Sequence, residues 1–68
     1  MENRIRELRK TEQMTQEELS ELVGVSRQSI VAIETGKYNP SLKLAFKIAK
    51  QFDCSIEQVF RFKEGDDT

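Results

Sequence analysis

The sequence predicts an all-α fold of five short helices, and three observations carry that expectation. Leu, Glu, Lys, Arg and Gln, all good helix formers, dominate the 68 residues. Thr15, Ser26, Ser41 and Ser55 are cap-forming hydroxyl residues, and each stands before apolar residues spaced three or four apart. Gly24, Gly36 and the pair Asn39-Pro40 then punctuate the ends of those stretches.

The first helix is expected to start near Asn3 and to bury Ile5 and Leu8. The second opens on Thr15, with Glu18 completing a capping box and Met14 and Leu19 in the staple positions. Its core stripe is Leu19, Leu22 and Val23, and Gly24 supplies the left-handed residue at its end. Ser26 caps the third helix, Val25 and Ile30 form a second staple, and Ile30 and Ile33 face inward before Gly36. Residues 37–40 are loop. Ser41 caps a fourth helix whose apolar stripe is Leu42, Ala45, Phe46, Ile48, Ala49 and Phe52. Ser55 and Gln58 cap a short fifth helix carrying Ile56, Val59 and Phe60. The alternation Phe60-Arg61-Phe62-Lys63 reads as a short C-terminal strand, and residues 64–68 as a frayed acidic tail.

A chain of this length has room for one domain, expected over residues 1–68 with its ordered core at about 3–62. There is one cysteine, Cys54, and no histidine. A Cys/His zinc site, an internal disulfide and histidine acid–base chemistry are thereby excluded within one chain. Scattered carboxylates make no pocket, so neither an enzyme nor a cofactor or metal is expected. No apolar run approaches the ~18 residues of a membrane span, and Met-Glu-Asn-Arg lacks a signal-peptide core, which predicts a cytoplasmic protein. Eleven Lys and Arg against twelve Asp and Glu give a net charge of −1. Glu64, Asp66 and Asp67 sit in the tail; without them, residues 1–63 carry eleven against nine, or +2. A basic face is therefore compatible with the composition, although not required by it.

The informative span runs from Thr15 to Lys37: helix, a turn centred on Gly24, helix. Close crossing of two such helices needs a small residue midway along the first, which Ser20 supplies, and aliphatic residues at Val25, Ile30 and Ile33. Arg27, Gln28, Val31 and Ala32 are left on one outward face of the second, with Thr35 one turn on. Arginine bonds guanine O6 and N7, glutamine bonds adenine N6 and N7, and small aliphatic groups suit the thymine methyl. That mixture fits a DNA major groove better than it fits water.

Residues 15–19, 25–30 and 33–37 together resemble the helix-turn-helix of the phage-repressor family (lambda Cro/C1-like, XRE). The following Tyr38-Asn39-Pro40-Ser41-Leu42 is similar to the compact repressors of the cytolysin-repressor type, and the resemblance covers about residues 3–62. It implies a lambda-repressor-like fold and double-stranded operator DNA as partner. It also implies base contacts from Arg27, Gln28, Val31, Ala32 and Asn39, and phosphate contacts from Gln16, Ser26, Thr35, Lys37 and Tyr38. Arg9 and Glu34 would form an internal ion pair. Two of these positions have an equally simple structural role, since Asn-Pro is a turn dipeptide and Tyr38 would cover the fourth helix. Lys43, Lys47 and Lys50 read as a solvated face, and Cys54 as a small buried hydrophobe. Repressors of that type tend to open on an apolar strand; the polar start here predicts that no such strand forms.

One helix-turn-helix reads only a few base pairs, so a two-fold homodimer is expected. Ile56, Val59, Phe60 and Phe62 are the expected dimer surface, with residues 60–63 pairing across the axis. The functional expectation is a repressor that occludes a symmetric operator. The alternative is a protein-interaction or antitoxin-like module on the same fold.

Overall fold

The computed structural model describes residues 1–61. Phe62, Lys63 and the acidic tail 64–68 lie outside the described residues. In chain order the elements are β1 (Glu2–Asn3), α1 (Ile5–Thr11), α2 (Gln16–Val23), α3 (Arg27–Glu34), α4 (Leu42–Gln51), α5 (Ile56–Val59) and β2 (Phe60–Arg61).

Four of the five helices begin at the predicted hydroxyl caps. The side chains of Thr15, Ser26, Ser41 and Ser55 accept from the amides of Glu18, Ser29, Leu44 and Gln58. Glu18 and Gln58 return the bond to the cap amides at 2.8 and 2.7 Å, closing two capping boxes. Each such cap contributes about 1 kcal/mol. Helix α1 has no side-chain cap on its own cap residue, Arg4. Instead Asn3 Oδ1 accepts from the Ile5 amide at 3.1 Å, and the Arg4 amide donates to the Val59 carbonyl at 2.8 Å.

The ends of α1 to α4 share one device. Met14, Val25, Lys37 and Cys54 donate their amides back across the last turn to the carbonyls of Arg9, Ser20, Ala32 and Ala49. Each closure needs a left-handed residue just before the donor. Gly24 and Gly36 fill that place at φ 78° and 80°; Gln13 and Asp53 fill it at φ 56° without being glycine.

A single apolar cluster joins all five helices, sealed by Ile5, Leu19, Ile30, Ile33, Ile48, Val59 and Phe60. Three residues expected in it are not there. Leu22, Leu42 and Phe46 are 55%, 77% and 55% exposed. At 100° per residue, the inner arc of α4 is taken by Ala45, Ile48, Ala49 and Phe52, with Leu44 at its edge, and Phe46 points away from it. On α2 the buried arc is Leu19, Ser20 and Val23, which turns Leu22 outward. Cys54 is half-buried against the core, its Sγ 3.3 Å from the Phe52 carbonyl.

The N-terminal segment also departs from expectation. Glu2 and Asn3 pair antiparallel with Arg61 and Phe60, so a two-residue β ribbon joins the five helices. A polar bond holds β1 in place, with Asn3 Nδ2 donating 2.9 Å to the Ile33 carbonyl, and the adjoining Met1 packs partly buried against the core. A strand does form at Phe60, and within the protomer it pairs with the chain's own Glu2 and Asn3. Val59 and Phe60 are 1% and 2% exposed, buried within the protomer. For these two residues the expectation of an exposed apolar surface is corrected. Of the other two, Ile56 is half-buried, and Phe62 lies outside the described residues.

Candidate nucleic-acid interface

The turn between α2 and α3 follows from the two residues already named. Gly24 adopts the left-handed conformation, and Ser20, 3% exposed, removes side-chain bulk where α3 crosses. Its hydroxyl donates to the Glu17 carbonyl at 2.7 Å, which disposes of the buried polar group. Ile30 and Ile33 then hold α3 by its inner side. The opposite side carries Arg27 and Gln28, both exposed, with Val31 and Ala32 half-buried beside them. These four line one shallow concavity together with Thr35 and Lys37.

Asn39 and Tyr38 do not line that concavity; they stand on the loop beyond α3. Tyr38 is 52% exposed, so it does not serve as cover for the core. Several polar groups in this region already have local partners. The Thr35 hydroxyl donates back to the Val31 carbonyl at 2.9 Å, and the Lys37 and Tyr38 amides both reach the Ala32 carbonyl. Ser26 Oγ accepts from the Ser29 amide and lies 3.1 Å from Ser29 Oγ. The side chains left without such local partners are those of Arg27, Gln28, Lys37, Tyr38 and Asn39, all exposed.

Behind the face lies the expected ion pair. Arg9 meets both carboxylate oxygens of Glu34 through Nε and Nη2, and its Nη1 donates 2.9 Å to the Met14 carbonyl. Gln16 Nε2 donates to the same carboxylate at 3.3 Å. The Arg9 and Glu34 side chains are only 13% and 5% exposed. One charged cluster thus ties α1, the α1–α2 loop, the start of α2 and the end of α3 into a fixed relation. Gln16 is half-buried, its amide oriented by Glu34.

A second, wider cleft borders this cluster. Gln16, Arg27 and Thr35 line it from one side, and Arg6 and Lys10 of α1 from the other. Sequence reasoning did not single out Arg6 and Lys10. Their only signal was the i, i+4 spacing of two basic residues on one helix. Among the described residues no group of three or more His, Cys, Asp or Glu could hold a metal ion. Nor is any described helix long and apolar enough to cross a membrane.

The sequence profile of the family Helix-turn-helix matches residues 5–59, the greater part of the chain. The chain belongs to the helix-turn-helix family. This helix-turn-helix protein is 58% identical over 64 residues to a protein of Archaeoglobus fulgidus named an uncharacterized HTH-type transcriptional regulator; the match spans 94% of this chain and 90% of the relative. Among solved structures it is similar to the restriction-modification controller protein C.AhdI of Aeromonas hydrophila. The TM-score there is 0.77 at 35% identity, over 84% of this chain and 86% of that one. It is likewise similar to the DNA-binding domain of the phage P22 C2 repressor. In that case the TM-score is 0.74 at 31% identity, over 79% and 71% of the two chains. The fold is that of a phage-repressor-type (XRE) helix-turn-helix domain, and here it includes a two-strand ribbon that pairs residues 2–3 with 60–61.

Proposed function

We propose that this transcriptional regulator is a repressor that binds a two-fold symmetric DNA operator as a homodimer, with α3 in the major groove. The observation that carries the reading is the outward face of α3. Two multivalent hydrogen-bonding side chains, Arg27 and Gln28, stand free beside the partly exposed Val31 and Ala32, all in one concavity. Arg27 bonds a guanine edge and Gln28 an adenine edge, while Val31 and Ala32 meet thymine methyl groups. Asn39 reaches a further base from the loop. Gln16, Ser26, Thr35, Lys37 and Tyr38 hold the phosphates on either side and set the register of α3. The helix-turn-helix framework between residues 15 and 37 and the similarity to a phage repressor's DNA-binding domain support the same assignment.

Repression is steric: the bound dimer occupies promoter DNA and needs no cofactor, metal or catalytic group. DNA as partner places the protein in the cytoplasm, with the nucleoid. The self-association surface draws on Ile56 and Phe62 rather than on Val59 and Phe60, whose side chains the protomer uses itself. Selection of bound duplexes from a random pool tests all of this together. The expected product is an inverted repeat whose half-sites lie about one helical turn, or ~34 Å, apart. Enrichment of a single half-site refutes the dimer, and no enrichment refutes DNA recognition.

A further inference from the structure

We propose that Arg6 and Lys10 of α1 hold DNA phosphates beyond the base-reading contacts of α3, so that helix α1 is a third element of the interface. The proposal rests on the reading of α3 as the recognition helix. Helix α1 and its cap residue carry four basic side chains before Thr11, and the structure divides them in two. Arg4 is paired with Glu7, and Arg9 with Glu34. Arg6 and Lys10 are exposed and, among the described residues, make no ion pair. Both line the cleft whose far side is formed by Gln16, Arg27 and Thr35. Their i, i+4 spacing sets them ~5–6 Å apart on one face, so two long cationic side chains can follow a single DNA strand.

The acids of the same cleft fix where a phosphate track can run. Glu34 is consumed by Arg9, and the Glu18 carboxylate accepts from the Thr15 amide. Glu17 and Glu21 line the cleft from α2, where they repel phosphate. The strand therefore passes on the α1 side, over Arg6 and Lys10, toward Gln16 and Arg27. Because Arg9 bridges α1 to α3, the two cations are held at a fixed offset from the base-reading face. They add affinity without sequence preference, as phosphate-binding groups do.

The test is the salt dependence of binding by R6Q/K10Q protein, with K50Q as a control for loss of surface charge elsewhere. Lys50 lies on α4 with its ammonium 5.8 Å from the Phe46 ring centre, away from this cleft. For R6Q/K10Q the slope of log affinity against log salt should fall by about 0.9 for each phosphate no longer neutralised, which at 0.1 M salt is about eightfold in affinity apiece. Operator and unrelated duplex should weaken alike, the selected base sequence should be unchanged, and the thermal melt should match wild type. K50Q should keep the wild-type slope. A wild-type slope for R6Q/K10Q overturns the proposal and leaves the reading of α3 standing. An equal fall in K50Q overturns it as well, since general charge then explains the effect. A wild-type protein that binds no duplex overturns both.

Discussion

Replacing Glu34 by alanine should remove about 3 kcal/mol of stability, more than any other single change at the interface. The side chains of the pair are 13% and 5% exposed, so the Arg9 guanidinium would be left largely desolvated with the Met14 carbonyl as its remaining partner. Breaking a buried pair by removing one member costs about 3–5 kcal/mol, and the residual exposure of Arg9 argues for the lower end. A domain of this size holds only ~3–10 kcal/mol in total. At about 4–8 °C per kcal/mol, E34A should melt at least about 12 °C below wild type. Urea unfolding followed by far-UV circular dichroism at fixed protein concentration measures the loss. Because the pair is mostly shielded from solvent, the difference should persist in 1 M salt, where the Debye length is ~3 Å. The double variant R9M/E34L removes both charges and should recover to within about 1 kcal/mol of wild type. An E34A cost under about 1 kcal/mol, or a double variant less stable than E34A, refutes the reasoning.

Gln13→Gly should raise stability by about 0.5–1 kcal/mol, since a left-handed residue with a Cβ costs roughly 1–2 kcal/mol and glycine gives back part of that relief as chain entropy. A melt that stays put or falls would show that Gln13 is not strained at φ 56°. Phe60→Ala should cost about 3–5 kcal/mol as a core truncation. Gel filtration with circular dichroism should show reduced helix, not folded protomers that have separated. Gln28→Ala should weaken operator binding by about 1–3 kcal/mol and relax preference at one base pair while leaving the salt slope unchanged. Competition with single-base operator variants reads that out directly.

The parts of the fold that are legible in the sequence are those governed by near neighbours along the chain. Thr15, Ser26, Ser41 and Ser55 each cap through a residue three positions on, so spacing alone locates four helix starts. Gly24 and Gly36 announce their left-handed turns; Gln13 and Asp53 make the same turn with side chains that carry no such signal. Leu22, Leu42 and Phe46 belie their expected burial because an apolar stripe on a short helix can be wider than the arc its neighbours cover. Alternation announces the ribbon's strand at Phe60, but its partner strand at Glu2–Asn3 is invisible to local patterning because it depends on bonds to distant parts of the chain: Asn3 to Ile33, and Arg4 to Val59. At the interface, the α3 face follows from helical periodicity. Arg6 and Lys10 do not, because the cleft that gives them a role exists only once α1, α2 and α3 are assembled.

That ribbon has a consequence for how the molecule opens. Its two strands come from opposite ends of the described chain, and the Asn3 side chain reaches across to the last turn of α3. Gly36, just beyond that turn, sits so close to Met1 that an added Cβ would lie 3.4 Å from the Met1 carbonyl oxygen. Chain ends are ordinarily the first places to fray, at little free-energy cost. Here fraying of the N-terminal residues withdraws a brace from the helix proposed to read DNA. Local opening of the ribbon and loosening of that helix become one event, which amide hydrogen exchange would register as a shared protection at Ile5, whose amide Asn3 holds, and at Lys37, whose amide closes α3.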